Sequence, residues 1–200
     1  MSLSTRLKQL GRPLLLEQLA HPVVRGIGSG RLDPEVFRAW LEQDYLFLLD
    51  YVRVFSRLAW QAPAGHLADL VDLAHSTLHD ELRLHRELAV PFGADLAGAR
   101  KSAECSAYTA FLLEAAADYG SGLAALLPCM WGYSQLGQRL AGRDTAGRYE
   151  PWVATYADPA FARMAERCAQ LLDEAAPDEA EATAVFLAGM RHELAFWDAR

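Results

Sequence analysis

The sequence has few cysteines, and their arrangement disfavours two common kinds of site. Three occur in 200 residues, at Cys105, Cys129 and Cys168, and no two of them are spaced as Cys-x-x-Cys. An odd number without that spacing argues against a disulfide framework and against a structural zinc site. Each cysteine is therefore either a buried apolar filler, which is the usual state of a free thiol, or a nucleophile.

Long apolar runs and clustered basic charge are also missing. No stretch approaches the roughly 18 apolar residues that a membrane span needs, and the first ten residues, MSLSTRLKQL, are too polar for the core of a signal peptide. The 19 Lys and Arg residues are scattered and the net charge is −7, so nucleic acid and anionic membranes are not expected partners. We expect a cytoplasmic protein.

What the sequence does contain is helical periodicity. Hydrophobic residues make up 52% of the chain. They recur at spacings of three and four between short segments of Gly, Pro and Asp, without a β pattern. This predicts an all-α bundle of seven or eight helices in a single domain, residues 1–200. The predicted helices cover about 4–20, 33–60, 65–90, 104–119, 123–140, 148–156, 158–175 and 177–200, and the segments 21–30 and 120–122 are predicted to be turns.

The second predicted helix carries a carboxylate on its apolar face. Trp40, Asp44, Phe47, Tyr51 and Phe55 are spaced so that they share one side of the helix. Burying an unpaired carboxylate costs several kcal/mol. The side chain of Asp44 is therefore either part of a structural salt bridge or helix cap, or a ligand anchor beneath an aromatic wall.

The last predicted helix repeats this anomaly at Glu193. This carboxylate lies on the same stripe as Phe196 and Trp197. Burial there would raise its pKa toward the range in which a carboxylic acid works as a general acid or base. The alternative is a structural pairing with a base such as Arg53 or Arg57.

Cys129 follows a proline inside the fifth predicted helix. Pro128 removes the backbone hydrogen bond to the Ala124 carbonyl and bends the helix axis. Tyr133 lies one turn later on the same face, so its hydroxyl can reach the sulfur or a ligand bound to it. A thiol needs help to become a thiolate, and no histidine is adjacent in sequence. Cys129 is the candidate nucleophile.

Histidines give a weaker pattern. His75 and His79, four residues apart, could bind a metal ion, but the chain has neither a Glu-x-x-His nor a His-Glu-x-x-His motif. We therefore expect no metal and no cofactor. The Glu81 and His85 pair is expected to organise its helix or a subunit contact.

Together these residues resemble the TenA (thiaminase II) family, which has a haem-oxygenase-like helical fold. The resemblance covers almost the whole chain, and it depends on the order and spacing of several motifs rather than on one of them. The matching segments are His21–Gly30 (HPVVRGIGSG), Gln43–Tyr45, Glu81–His85, Cys105–Tyr108, Ala125–Cys129 with Tyr133, Trp152–Tyr156, and Glu193 with Phe196 and Trp197.

The resemblance implies hydrolysis of a pyrimidine that bears a leaving group on its exocyclic methylene. The substrate would be 4-amino-5-aminomethyl-2-methylpyrimidine or thiamin, and the product would be the hydroxymethylpyrimidine of thiamin salvage. A homotetramer is implied as well. Carried over to this chain, the family's roles are a Cys129 nucleophile, a Glu193 proton shuttle, Asp44 at the amidine-like edge, Tyr133 at a ring nitrogen, Tyr156 orienting Cys129 or Glu193, and Phe47 and Tyr108 beside the ring.

One position departs from the family, and two other functions stay open. Many members have tyrosine where this chain has Phe47, which lacks a hydroxyl that could bond the nucleophile. A PqqC-like oxidase or a haem oxygenase could use the same fold, with His21 as the candidate haem ligand. A regulatory protein without enzymatic activity is the third reading, and it is disfavoured by the acidic charge and by the lack of a DNA-reading element.

Overall fold

Helices are the only regular secondary structure in the part of the chain that the computed structural model describes, residues 1–142 and 147–200. Within those residues there is no β-strand, and the predicted all-α class is confirmed. A π-helical segment, Thr77–Glu81, joins the fourth helix to the fifth, and a 3₁₀ turn, Gly147–Tyr149, precedes the eighth. The α-helices are α1 Leu3–Ala20, α2 Pro22–Gly28, α3 Pro34–Gln61, α4 Ala64–Ser76, α5 Leu82–Phe92, α6 Ala103–Ala115, α7 Tyr119–Leu140, α8 Glu150–Ala157, α9 Pro159–Ala175 and α10 Glu179–Phe196.

The helices begin where capping residues place them. Asp33 accepts a hydrogen bond from the Glu35 amide, and Pro34 occupies the first helical position of α3. The carboxylate of Asp158 does the same for α9, with Pro159 next in sequence. Such caps satisfy backbone N–H groups that have no partner within the helix, and proline fits there because it has no N–H to satisfy.

The predicted turn at residues 21–30 contains a short helix instead, α2. His21 caps it, because its Nδ1 accepts from the Val23 amide at 3.3 Å, and Pro22 takes the first helical position. The chain turns only at Gly30, whose φ of 68° is in the left-handed region.

The predicted break at residues 120–122 lies inside the first turn of α7. Asp118 caps this helix through the Ser121 amide, so the glycines follow the cap rather than precede it. A Cβ at Gly122 would lie 2.5 Å from Leu58 Cδ2 and 3.1 Å from Ala116 Cα. This glycine therefore serves close packing and not a turn.

The predicted third helix is continuous but not uniformly α-helical. The π-helical segment inserts one wider turn between α4 and α5, as often happens near functional sites. Pro91 lies within the last turn of α5, and the helix ends at the left-handed Gly93, whose φ is 66°. The helix thus runs two residues past its predicted end at residue 90.

Helix α7 lies in the middle of the bundle. Residues 120–130 are all buried, and the helix packs against α6, α8, α9 and α10. Helix α3 packs against α4, α5 and α6 and also contacts α7. In the described ranges no helix is both long and apolar enough to cross a membrane.

Two glycines bring neighbouring helices unusually close to α7. A Cβ at Gly137 would lie 2.3 Å from the carbonyl carbon of Tyr156, so the backbones of α7 and α8 touch there. A Cβ at Gly189 of α10 would lie 2.8 Å from Pro128 Cγ. These approaches place α8 and α10, with Tyr156 and Glu193, beside the helix that carries Cys129.

Candidate active site

The structure gathers the predicted site residues from five separate helices into one buried region. All are at most 7% exposed. Contacts connect them: the Phe47 ring is 4.9 Å from the Tyr108 ring, the Tyr108 hydroxyl donates to Glu193, and the Tyr133 and Tyr156 rings are 4.9 Å apart. The residues are Asp44 and Phe47 on α3, Tyr108 on α6, Cys129 and Tyr133 on α7, Tyr156 on α8 and Glu193 on α10.

Cys129 lies one residue beyond the α7 proline and is surrounded by acids. Burial raises the pKa of its thiol well above the usual range, and the carboxylates of Glu193, Glu81 and Asp44 raise it further. A hydrogen bond from the Tyr51 hydroxyl acts in the opposite direction. The resting group is a neutral thiol, so the sulfur can attack only if its proton leaves in the same process.

Tyr51 provides a hydroxyl next to this sulfur. It donates to the Leu126 carbonyl at 3.0 Å and also bonds Cys129. Its ring stacks on Phe47 one turn earlier, with centroids 5.2 Å apart. A hydroxyl therefore reaches the candidate nucleophile although Phe47 has none.

Glu193 is a buried acid that accepts hydrogen bonds from the Tyr108 hydroxyl and the Cys129 thiol, and each bond lowers its pKa. Burial raises its pKa to about 8, against the effect of the Tyr108 hydroxyl, which donates to Oε1 at 2.5 Å and lowers the pKa. The alternative pairing with a base is not found: Arg53 pairs with Asp50, and Arg57 donates to the Leu113 carbonyl at 3.1 Å. Near neutral pH, Glu193 therefore holds a proton that it can donate.

The two carboxylate oxygens of Asp44 are in different situations. Its Oδ2 lies 2.6 Å from His85 Nε2, so the structural alternative is correct for that oxygen. Its Oδ1 makes no hydrogen bond to any other residue in the described ranges. One carboxylate oxygen is thus fixed by the protein while the other is left for a ligand.

Tyr133 contributes a second polar atom without a partner. Its hydroxyl makes no hydrogen bond to the residues described, while its ring packs 4.9 Å from Tyr156 and stacks on Trp197 at 5.7 Å. Trp197 in turn stacks on Trp40, with centroids 5.1 Å apart and planes 9° from parallel. Burial raises the pKa of Tyr133 well above its usual value, so it remains a neutral hydrogen-bond donor.

The hydrogen-bond partner of Tyr156 is neither of the two residues expected. The resemblance implied that it orients Cys129 or Glu193, but its hydroxyl donates to Glu81 Oε2 at 3.4 Å. The close approach at Gly137 fixes the backbone of Tyr156 and hence the direction of this side chain.

Glu81 and His85 belong to the same buried region, although the pair was expected only to organise its helix or a subunit contact. His85 Nδ1 lies 2.8 Å from the Glu81 backbone oxygen, a bond that does organise the helix, while the ring reaches Asp44. Burial raises the pKa of the Glu81 carboxyl to about 7. Glu81 also lines a surface groove of about 420 Å³ together with Ser76 and Thr155, so it lies between the groove and the interior.

The remaining histidines lie elsewhere. His21 caps α2, and its Nε2 lies 3.5 Å from the exposed carboxylate of Asp198. His75 and His79 are exposed, with ring centroids 4.4 Å apart. Among residues 1–142 and 147–200, no three His, Cys, Asp or Glu side chains are arranged to hold a metal ion.

The fold and the site together describe an all-helical protein whose buried site pairs a thiol with a protonated carboxylic acid. Residues 9–200 match the TENA/THI-4/PQQC family, and the chain belongs to that family. It is 34% identical, over 99% of its length, to the aminopyrimidine aminohydrolase of Halalkalibacterium halodurans and covers 95% of that protein.

Solved structures show the same fold. The TenA homologue from P. horikoshii OT3 superimposes with a TM-score of 0.92 at 24% identity, covering 99% of this chain and 97% of that one. A domain with a heme oxygenase-like fold from Shewanella denitrificans gives 0.76 at 13% identity, covering 97% and 90%. The predicted family and the predicted haem-oxygenase-like fold are confirmed.

Proposed function

We propose that the buried site hydrolyses 4-amino-5-aminomethyl-2-methylpyrimidine to the hydroxymethylpyrimidine of thiamin salvage. The protein is an aminopyrimidine aminohydrolase, as are relatives that match it over nearly its full length. The observation that carries the proposal is the buried thiol of Cys129, which bonds the protonated acid Glu193 and is influenced by the nearby carboxylate of Asp44.

The unpartnered polar atoms suit a flat, basic ring. Asp44 Oδ1 accepts from the 4-amino group or a ring N–H at the amidine-like edge, and the Tyr133 hydroxyl donates to a ring nitrogen. Phe47 and Tyr108 pack beside the ring. Each hydrogen bond uses an atom that has no hydrogen-bond partner among residues 1–142 and 147–200.

The chemistry proceeds through addition of sulfur to the ring. Cys129 Sγ forms a bond to a ring carbon while its proton moves to the basic ring nitrogen, because the thiol is neutral at rest. Glu193 protonates the exocyclic amine, and the C–N bond breaks to release ammonia. Water adds to the methylene carbon and returns a proton to Glu193. The C–S bond then breaks, which restores the thiol and the aromatic ring.

The site favours a small leaving group. Cys129 is 7% exposed and Glu193 is 1% exposed, and ammonia is much smaller than the thiazolium of thiamin, so it suits so enclosed a site better. A PqqC-like or haem-dependent reaction is a poorer fit, since His21 is occupied as a helix cap at the surface.

We further propose that residues 1–200 form one domain acting as a cytoplasmic homotetramer without nucleic-acid partners. Three free cysteines suit a reducing compartment, and the net charge of −7 repels nucleic acid. Trp60, which is 89% exposed, and the exposed Leu67 and Val71 offer apolar surface for subunit contacts. A monomer in light scattering would contradict the tetramer.

The proposed mechanism can be tested by removing the sulfur atom from each of two buried cysteines in turn. Cys129→Ala should lower kcat/KM for the aminomethylpyrimidine by about a thousandfold or more, because the nucleophile is removed. Cys168→Ala, in the core of α9, should leave activity nearly unchanged. Both variants should keep the helical circular dichroism. Near-normal turnover by Cys129→Ala would rule out the mechanism, and a higher kcat/KM for thiamin would rule out the preferred leaving group.

A further inference from the structure

His85 bridges two elements of the buried region through both ring nitrogens. Nδ1 lies 2.8 Å from the backbone oxygen of Glu81, at the end of the π-helical segment, and Nε2 lies 2.6 Å from Asp44 Oδ2 on α3. The ring is fully buried, and the Asp44 side chain is 3% exposed. No water is needed to complete either contact.

These two contacts determine where the protons are. A carbonyl oxygen can only accept, so Nδ1 must carry a hydrogen. A neutral ring protonated at Nδ1 would turn the Nε2 lone pair toward a carboxylate oxygen at 2.6 Å, which is repulsive. A second proton must therefore lie between Nε2 and Asp44, and the two residues together have no net charge.

We infer that His85 is a positioning residue, an imidazolium that holds the Asp44 carboxylate ionised with Oδ1 directed at the substrate. This rests on the proposed function only for the identity of the ligand. The ion pair keeps an acceptor in a buried pocket without adding net charge there, so the pocket suits an aminopyrimidine that donates N–H bonds.

The surrounding groups favour this charge state. Burial by itself would lower the pKa of His85, but the hydrogen bond and charge of Asp44 outweigh it and raise the pKa. Glu81 and Glu193, with pKa values raised to about 7 and about 8, largely keep their protons below those values. The other titratable groups that interact with Asp44 have raised pKa values and are neutral: Cys105 and Tyr108 from α6, Cys129 and Tyr133 from α7, and Tyr156 from α8.

Two substitutions separate the contacts of His85. His85→Asn keeps a donor near the position of Nδ1, for the Glu81 carbonyl, but does not reach Asp44. His85→Gln brings an uncharged donor to Asp44. We expect His85→Asn to raise KM for the aminomethylpyrimidine by about tenfold, with a smaller effect on kcat, and His85→Gln to fall between it and the unaltered protein.

A matched control is available at His66. This ring also bridges two partners, with Nδ1 2.9 Å from the Tyr119 hydroxyl and Nε2 3.0 Å from Glu174, away from the site. His66→Asn should leave KM unchanged. A normal KM in folded His85→Asn would overturn the inference while leaving the proposed function intact.

A measurement without turnover keeps the inference testable if His85→Asn fails to fold. In nitrogen NMR of the unliganded protein, both ring nitrogens of His85 should stay protonated from about pH 5 to pH 8, where an ordinary histidine titrates. In Asp44→Asn, Nε2 should lose its proton within that range. Titration of His85 in the unaltered protein would overturn the inference, even if the protein hydrolysed no aminopyrimidine.

Discussion

The hydroxyl of Tyr51 lies between two acceptors in the interior, the Leu126 carbonyl and the Cys129 sulfur. While the thiol is neutral, the hydroxyl proton goes to the carbonyl at 3.0 Å. As negative charge grows on sulfur, the same hydroxyl can donate to it instead. Stabilisation that strengthens as charge develops favours the transition state over the resting enzyme.

Removing this hydroxyl should slow the reaction. In Tyr51→Phe the pKa of Cys129 loses the contact that lowers it, so negative charge on the sulfur is less well stabilised and kcat/KM should fall by about tenfold. Tyr149→Phe is the control, because its hydroxyl also donates to a backbone oxygen, that of Leu32 at 2.6 Å, far from the thiol. Equal kinetics for the two variants would show that Tyr51 is only structural.

Individual site residues were predictable where one polar group interrupts an apolar stripe. Asp44 and Glu193 stood out in this way, and Cys129 stood out through Pro128. Glu81 and His85 were missed although they continue the buried stripe of α4 and α5, because three consecutive stripe positions are polar and look like a solvated face. The buried stripe is Leu70, Leu73, Thr77, Glu81, His85 and Leu88. The unmet need of Asp44 for a partner was the signal that could have identified them.

At the scale of elements, the contact between α7 and α8 sets the position of Tyr156. It exists because residue 137 has no side chain: a Cβ there would lie 2.3 Å from the Tyr156 carbonyl carbon and 2.5 Å from the Ala157 nitrogen. Both neighbours are backbone atoms, which cannot rotate away.

A methyl group at this contact should destabilise the protein. We expect Gly137→Ala to lower the free energy of unfolding by about 3 kcal/mol, since α8 must move as a unit. Gly132→Ala in the same helix is the control: its Cβ would meet nothing within 4 Å, so better helix propensity should raise stability by up to about 1 kcal/mol. Urea denaturation measures both, and similar effects of the two substitutions would contradict a close contact at Gly137.

At the scale of elements, the helical state of each long segment was predictable, but the exact ends of the helices depended on packing. Gly120 and Gly122 are typical of a turn in local sequence, yet Asp118 caps the helix ahead of them and Leu58 occupies the space beside Gly122. The π-helical segment, Thr77–Glu81, was not predicted, because apolar spacing along the chain does not distinguish one π turn from an α turn.

Across the whole molecule, buried acids make stability depend on pH. Folding raises the pKa of Glu193 from 4.5 to about 8 and that of Glu81 from 4.5 to about 7. For each acid, at any pH between 4.5 and its raised pKa, the folded state holds a proton that the unfolded state has released. The free energy of unfolding therefore falls as pH rises through this range, by about 1 kcal/mol per pH unit for each group. The raised pKa of His85 also makes the free energy of unfolding fall as pH rises, in the range above its ordinary pKa of 6.5.

Replacing one acid with its amide should remove its share of the slope. We expect Glu193→Gln to lose less stability than the unaltered protein between about pH 5 and pH 8, as measured by urea denaturation. Parallel slopes for the two proteins would contradict a protonated Glu193.

Fold class and family were predictable at the scale of the whole molecule, because hydrophobic periodicity and motif order extend over the chain. The pKa shifts of the buried acids were not, because they arise only when five helices meet.

The burial of the site also has a kinetic consequence. Cys129 is 7% exposed, Asp44 2% and Glu193 1%, so we expect the entry and release of a pyrimidine to require a transient separation of packed helices. Each catalytic cycle then includes an opening of the bundle, and the frequency of that opening limits how fast the enzyme can work. Substitutions that stiffen the bundle are expected to lengthen the lifetime of the enzyme and slow its turnover together.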